Sequence, residues 1–161
     1  METDPGLVPE GETPVPRYAR SLQTMLLRTQ QAVAPEFRAI FGQFGLTQPQ
    51  WRVIRVLWEK EGQSISALAE AALLDQPVVV GVVDRLQRSG LVQRQRSETD
   101  RRLVHVLLTE KGRALKDDAL PAVRDAYERL GTVLTEKEWE MLFSLLDKVV
   151  DGVHQGDQDA R

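Results

Sequence analysis

Two short runs with strand character, LVQRQR at residues 91–96 and RLVHVLL at 102–108, flank the charged tetrapeptide SETD, and the sequence on both sides has helical periodicity instead. One hairpin cannot bury a core on its own, so helices must supply the core and carry the hairpin. The expected fold class is therefore mainly α (α+β).

The helices follow from spacing and caps. Tyr18, Leu22, Met25, Leu26, Val33, Phe37, Ile40, Phe41 and Phe44 recur at helical intervals, which predicts a long first helix from near Arg17 to a stop at Gly45, kinked at Pro35. Thr47 with Gln50 three residues on is a capping box for a second helix, whose face is Trp51, Ile54, Leu57 and Trp58 and which ends before Gly62. A short third helix starts around Ser64 and carries Leu68, Ala69, Ala72 and Leu73. After a tight turn at Leu74 and Asp75, a fourth is capped by Asp75, accepts Pro77 in its first turn and runs to Gly90.

The stretch PVVVGVV within it can also be read as a buried strand, since β-branched residues favour strands and Gly81 weakens a helix. The cap before it and the amphipathic DRLQRSG after it favour the helix. Thr109 caps a fifth helix to about Gly131, bent at Pro121, and Thr135 with Glu138 opens a sixth through Trp139, Leu142, Phe143, Leu146 and Val149. Residues 1–16, with four prolines and four acids, read as a disordered tail, and 154–161 as a flexible one.

Composition removes several function classes. The 161 residues suffice for one cored domain and contain no cysteine, so disulfides, thiolate metal sites and cysteine nucleophiles are excluded. His105 and His154 are far apart and belong to no ligand-spaced cluster, so a protein-ligated zinc is not expected, while a carboxylate-only site for a hard ion stays open; no metal site is assigned and no cofactor is expected, and His105 reads as a strand residue. The start METDPGLVPEGETPVPR lacks the basic and apolar regions of a signal peptide, and no apolar run is long enough to span a bilayer, which places the chain in the cytoplasm, off the membrane. Asp84, Glu98, Asp100 and His105 could supply acid and base, but no phosphate loop, nucleophile elbow or metal cluster organises a substrate, so the chain is not read as an enzyme.

The net charge of −3 conceals an asymmetry. Residues 76–113 hold eight Arg or Lys against four acids, a local +4, between acidic ends. That is the footprint of a segment presented to a polyanion. Short helix, tight turn, second helix and basic hairpin follow one another in the order of a winged helix-turn-helix. The fourth helix would enter a major groove, and Arg94, Arg96, Arg101 and Arg102 on the hairpin would reach phosphates or an adjacent minor groove. Arg85 and Arg88 divide between phosphate contacts and helix salt bridges.

The run DRRLVHVLLTEKG (Asp100 to Gly112) resembles the wing signature of the MarR transcriptional regulators: Asp, any residue, Arg, an alternating apolar strand, then Leu-Thr and Gly. LTQPQWRVIRVL (46–57) and VDRLQRSGLV (83–92) support the match, which spans roughly residues 17–150; the first of these is also similar to regulators of aromatic-acid catabolism within that family. The resemblance implies a homodimer in which residues 17–45 and 109–153 form the dimerisation helices and 46–108 the winged helix-turn-helix. The terminal helices carry more apolar surface than the central domain can cover, which fits a dimer; the other reading is a monomeric bundle.

The resemblance also implies a ligand-responsive repressor on a pseudo-palindromic operator, released by a small aromatic or phenolic anion. Arg102 matches the family's minor-groove arginine, against the plainer reading of a solvated hairpin charge, and Asp100 would orient Arg102 or Arg85. An effector cleft would involve Arg17, Tyr18, Arg20, Trp51 and Arg55, since arginine beside an aromatic ring suits an aromatic carboxylate, although the default reading of Trp51 is core. Relatives usually offer Ser, Thr and a basic residue on the fourth helix, whereas this chain has Gln76, Pro77, Val78, Val79, Val80 and Gly81. Gln76 could contact adenine and the valines thymine methyls, or the helix could pack on protein, making the chain a protein-interaction module.

Overall fold

The computed structural model describes residues 18–96 and 104–159, and divides the chain into two units, residues 1–37 and 38–161. The tail at 1–16, and Arg17, Asp100, Arg101 and Arg102, lie outside the described residues. In the first unit a 3-10 turn at Tyr18–Arg20 leads into α1 (Leu22–Gln43). Ser21 caps its start: its hydroxyl donates to the Tyr18 carbonyl at 3.0 Å and accepts from the Thr24 N–H at 3.3 Å. The helix runs unbroken through Pro35, and its final turn, with buried Ile40 and Phe41, belongs to the second unit.

The second unit continues with α2 (Gln48–Glu59), β1 (Gln63–Ser64), α3 (Ile65–Ala72), α4 (Gln76–Arg88), β2 (Val92–Arg96), β3 (Val104–Leu108), α5 (Glu110–Gly131) and α6 (Glu136–Asp159). The three strands form an antiparallel sheet in the order β1-β3-β2, with Arg94 opposite Val106 and Ser64 opposite His105. β1 is an addition to the expected hairpin; two residues are too short to show an alternation in sequence. PVVVGVV is helical, and α6 continues to Asp159 where a tail from residue 154 was expected, since no proline follows to end it.

The caps show why the helices start where they do. The Gln50 side chain accepts from the Thr47 N–H at 2.9 Å, Ser64 accepts from the Ala67 N–H at 3.2 Å, and the Glu138 carboxylate accepts from the Thr135 N–H at 2.8 Å. Asp75 holds the N-cap position of α4, yet its carboxylate makes no cap hydrogen bond. Pro77 in that first turn has no N–H to offer, which removes one of the two usual donors to a cap.

The core of this unit is continuous. Val53, Ile54 and Leu57 of α2, Leu68 of α3, Val79, Val82, Val83 and Leu86 of α4 and Val106 of β3 are fully buried, with Ala119 and Ala126 of α5. Trp51 stacks on Phe41 at 4.9 Å between ring centroids and meets Trp58 edge-on at 5.4 Å.

The first turn of α5 fixes the hairpin to the helices. Thr109 Oγ1 donates to the Gly90 carbonyl at 2.6 Å and accepts from the Gly112 N–H at 3.1 Å, the Thr109 N–H donates to Leu91 O at 3.1 Å, and Lys111 Nζ donates to Ser89 O at 2.9 Å. Gly112 must be glycine here, because a Cβ at that position would fall on the Leu91 carbonyl. Its own carbonyl accepts from Trp58 Nε1 at 2.9 Å, which ties α2 to α5.

Glu61 adds a polar link. It takes a two-pronged contact from Arg113, at 2.8 Å and 2.7 Å, and accepts from the Leu108 N–H at 3.3 Å. The Arg113 guanidinium holds the Glu61 carboxyl below the usual glutamate range, against an upward push from burial and with help from the Leu108 N–H.

Two stability predictions follow from these contacts. Gly112→Ala should cost about 3 kcal/mol in chemical denaturation, as overpacking against backbone does, whereas Gly131→Ala, with open space around the added methyl, should not destabilise. A carboxyl whose folded pKa is lowered contributes stability above its unfolded pKa and loses it as pH falls through the folded value. Glu61→Gln should therefore lower Tm at pH 7, and the gap to wild type should close on acidification below the ordinary glutamate pKa; a gap independent of pH would refute the assignment.

Candidate nucleic-acid interface

The helix-turn-helix is α3, the turn Leu73–Asp75 and α4, and the two helix axes meet at 104°, within the range of DNA-binding pairs. Leu73 ends α3 in the left-handed conformation, at φ 53°, with its side chain 80% exposed. A leucine is strained there, and Arg52 of α2 offsets this by donating to the carbonyls of Ala72 at 3.5 Å and Leu73 at 3.2 Å, where a cation suits a helix C-terminus.

Burial sorts the residues of α4. Val79, Val82, Val83 and Leu86 face the core. Opposite them, Pro77, Gly81, Asp84 and Arg88 recur at four, seven and eleven residues and form one outward stripe, with Gln76, Val78, Val80, Arg85 and Gln87 exposed beside it. The expectation for Val79 is corrected: it is fully buried and unavailable to a base, because its position in the helix period is that of the core contacts.

The basic groups are arranged as follows. Arg85 and Arg88 are exposed in the last turn of α4; Arg88 Nε lies 3.4 Å from the Asp84 carbonyl, and the Arg85 guanidinium comes to 3.8 Å of where a Gly81 Cβ would stand. Arg96 is exposed at the end of β2. Arg94 is engaged: its guanidinium contacts the Asp84 carboxylate at 2.6 Å and donates to Gln87 Oε1 at 2.9 Å, which links β2 to α4. Asp84 was read from sequence only as a possible catalytic acid. Its role as the anchor of Arg94 depends on β2 returning alongside α4, which no local pattern reveals.

The residues expected around an effector fall in both units. Tyr18, 82% exposed, and Arg20 lie in the 3-10 turn of the first. In the second, Arg55 of α2 is half-buried and 3.8 Å from Glu59. Trp51 is 7% exposed, with its ring committed to Phe41 and Trp58, so the core reading holds and a cleft-lining role for it is corrected.

Two further observations bear on class. Among the described residues no helix alone is long and apolar enough to cross a membrane, and no group of three or more His, Asp or Glu could hold a metal ion. No residue of α6 through Val153 is buried, and Met141, Leu142, Phe143, Leu145, Val149, Val150 and Val153 are exposed along it.

Residues 46–104, covering α2 to the start of β3, match the MarR family. The homoprotocatechuate degradative operon repressor of Escherichia coli is 32% identical over 130 residues, 81% of this chain and 88% of that one. Two solved structures extend the likeness to more than four fifths of the chain. NadR in complex with 4-hydroxyphenylacetate is 30% identical, with a TM-score of 0.72 over 85% of this chain and 97% of that one. The transcriptional repressor CouR bound to a 23-mer DNA duplex is 29% identical, with a TM-score of 0.75 over 82% and 94%. The helix-turn-helix, the basic strand beside it and this likeness over four fifths of the chain lead to one conclusion: the protein belongs to the MarR family of DNA-binding transcriptional regulators.

Proposed function

We propose that the chain acts as a homodimeric repressor that occupies a pseudo-palindromic operator and leaves it when a small aromatic or phenolic anion binds. The observation that carries the DNA part is the outward face of α4, set at 104° to α3 and bordered by Arg85, Arg88 and Arg96. Two such helices about 34 Å apart would enter successive major grooves. Arg101 and Arg102 at the wing would extend the contact to phosphates or the minor groove, with Asp100 orienting Arg102 or Arg85.

The uncovered apolar length of α6 supports the dimer, since a chain that left it in water would expose a patch of the kind that marks interfaces. The effector reading rests on Arg17, Tyr18, Arg20 and Arg55, and on relatives named for, or solved with, an aromatic acid. Guanidinium groups beside a phenol ring would pair with the carboxylate and stack on the aromatic face. Work of this kind needs no catalysis, and its place is the cytoplasm, where the DNA is.

The test is binding of the purified protein to its own upstream intergenic DNA against random competitor while salt is varied. Specific binding at two chains per site that weakens steeply with salt is expected, with Arg102→Ala lowering the salt slope by about one. Release of the bound DNA by hydroxylated phenylacetates would support the effector class. Association that ignores salt would favour a protein-binding role for α4.

Asp84 yields a separate expectation. Its pair with Arg94 is exposed and worth at most about 1 kcal/mol, so Asp84→Asn should barely change stability. It should release Arg94 toward phosphate, raising affinity for random-sequence DNA and steepening its salt dependence by about one. Unchanged random-DNA affinity would show that Arg94 is already free in the complex.

A further inference from the structure

We propose that α4 selects its operator through the C5-methyl group of pyrimidines, so that thymine and 5-methylcytosine are read alike and unmethylated cytosine is rejected. This rests on the reading above, that α4 enters a major groove. The first two turns of a recognition helix are the part that reaches base edges. In α4 those turns expose Gln76, Pro77, Val78 and Val80 and leave Gly81 half-buried, and only Gln76 among them has a side-chain donor or acceptor.

The geometry is suited to contact with methyl groups. Pro77 and Gly81 occupy the outward stripe, and the group over the position a Gly81 Cβ would fill is the end of the flexible Arg85 side chain, at 3.8 Å, so once that guanidinium turns to a phosphate the helix backbone can come near the base edges. Val78 and Val80 flank that stripe on its two sides, 41% and 43% exposed. The next polar group on the stripe, the Asp84 carboxylate, is already held by Arg94.

A valine pressed against a base edge gains only where an apolar group faces it. Against the donors and acceptors of guanine, adenine or cytosine it strips water from polar atoms and returns no hydrogen bond. The C5-methyl group is the apolar feature of the major groove, and thymine carries it by default. The surroundings commit this face to DNA and not to an apolar protein surface: Arg85 and Arg88 follow in the same helix, Arg96 ends the adjacent strand, and residues 76–113 are net positive.

The experiment uses the full-length protein and the operator located by footprinting. Each thymine of one half-site is replaced in turn by deoxyuridine, which removes the methyl group and leaves the pairing edge intact, and Kd is read by fluorescence anisotropy. Loss of about fourfold per contacted methyl is expected at one or two positions per half-site. At those positions a 5-methylcytosine pair should bind about fourfold tighter than a cytosine pair. The double variant Val78→Ala, Val80→Ala, which alters only exposed side chains, should bind more weakly and ignore both substitutions.

A footprint with no deoxyuridine effect at any thymine overturns the inference and leaves the regulator intact. Full sensitivity retained in the double variant overturns the assignment to these valines. Absence of any footprint overturns both readings.

Discussion

The first turn of α5 presses against the turn between α4 and β2, and the placement of the wing depends on that contact. Thr109 satisfies the Gly90 carbonyl and its own helix start with one hydroxyl, while Gly112 lets the helix backbone pass over the Leu91 carbonyl at a distance no side chain would allow. Trp58 and the Glu61–Arg113 pair draw the same turn onto α2 and the base of β3. The Leu-Thr and Gly of the wing signature thus have a mechanical meaning. They are the residues that let a helix leave a strand at this angle without leaving buried polar groups unpaired.

The elements with a local cause were legible in the sequence. Thr47, Ser64, Thr109 and Thr135 stand at helix starts because a short side chain there can take up backbone N–H groups, or share them with a Gln or Glu three residues on. What required the fold were the non-local facts. β1 exists only because β3 offers it an edge, and Asp84 meets Arg94 only because β2 returns along α4. Val79 and its neighbours are chemically identical in sequence, and the helix period alone turns Val79 inward and leaves Val78 and Val80 outside. Trp51 could have lined a cleft or filled a core; Phe41, ten residues earlier and across a helix break, decided it.

α4 therefore serves two requirements with one residue type. Its inner valines pack the core with little side-chain entropy to lose, and this offsets the weak helix propensity of a run that also contains Gly81. Most of the helix's stability must come from that buried face and from α2 and α3 behind it, since the propensity of the run itself is poor. First two turns that show outward little polar character beyond Gln76 then cost the fold nothing, and the consequences appear only when α4 meets a partner.

An exposed carboxylate on the outward stripe of a DNA-reading helix repels phosphate unless a cation holds it, and Arg94 supplies that cation from the wing strand. The pair makes α4 and β2 a single electrostatic surface: neither Asp84 nor Arg94 presents a bare charge, and the positive field comes from Arg85, Arg88 and Arg96 around them. Long-range attraction is thereby supplied from the later turns and the wing strand, while the first two turns of α4 are uncharged and, apart from Gln76, free of hydrogen-bonding side chains. If α4 enters a major groove as proposed, affinity on such a surface would come from the surrounding arginines and discrimination from shape and apolar contact along the first two turns.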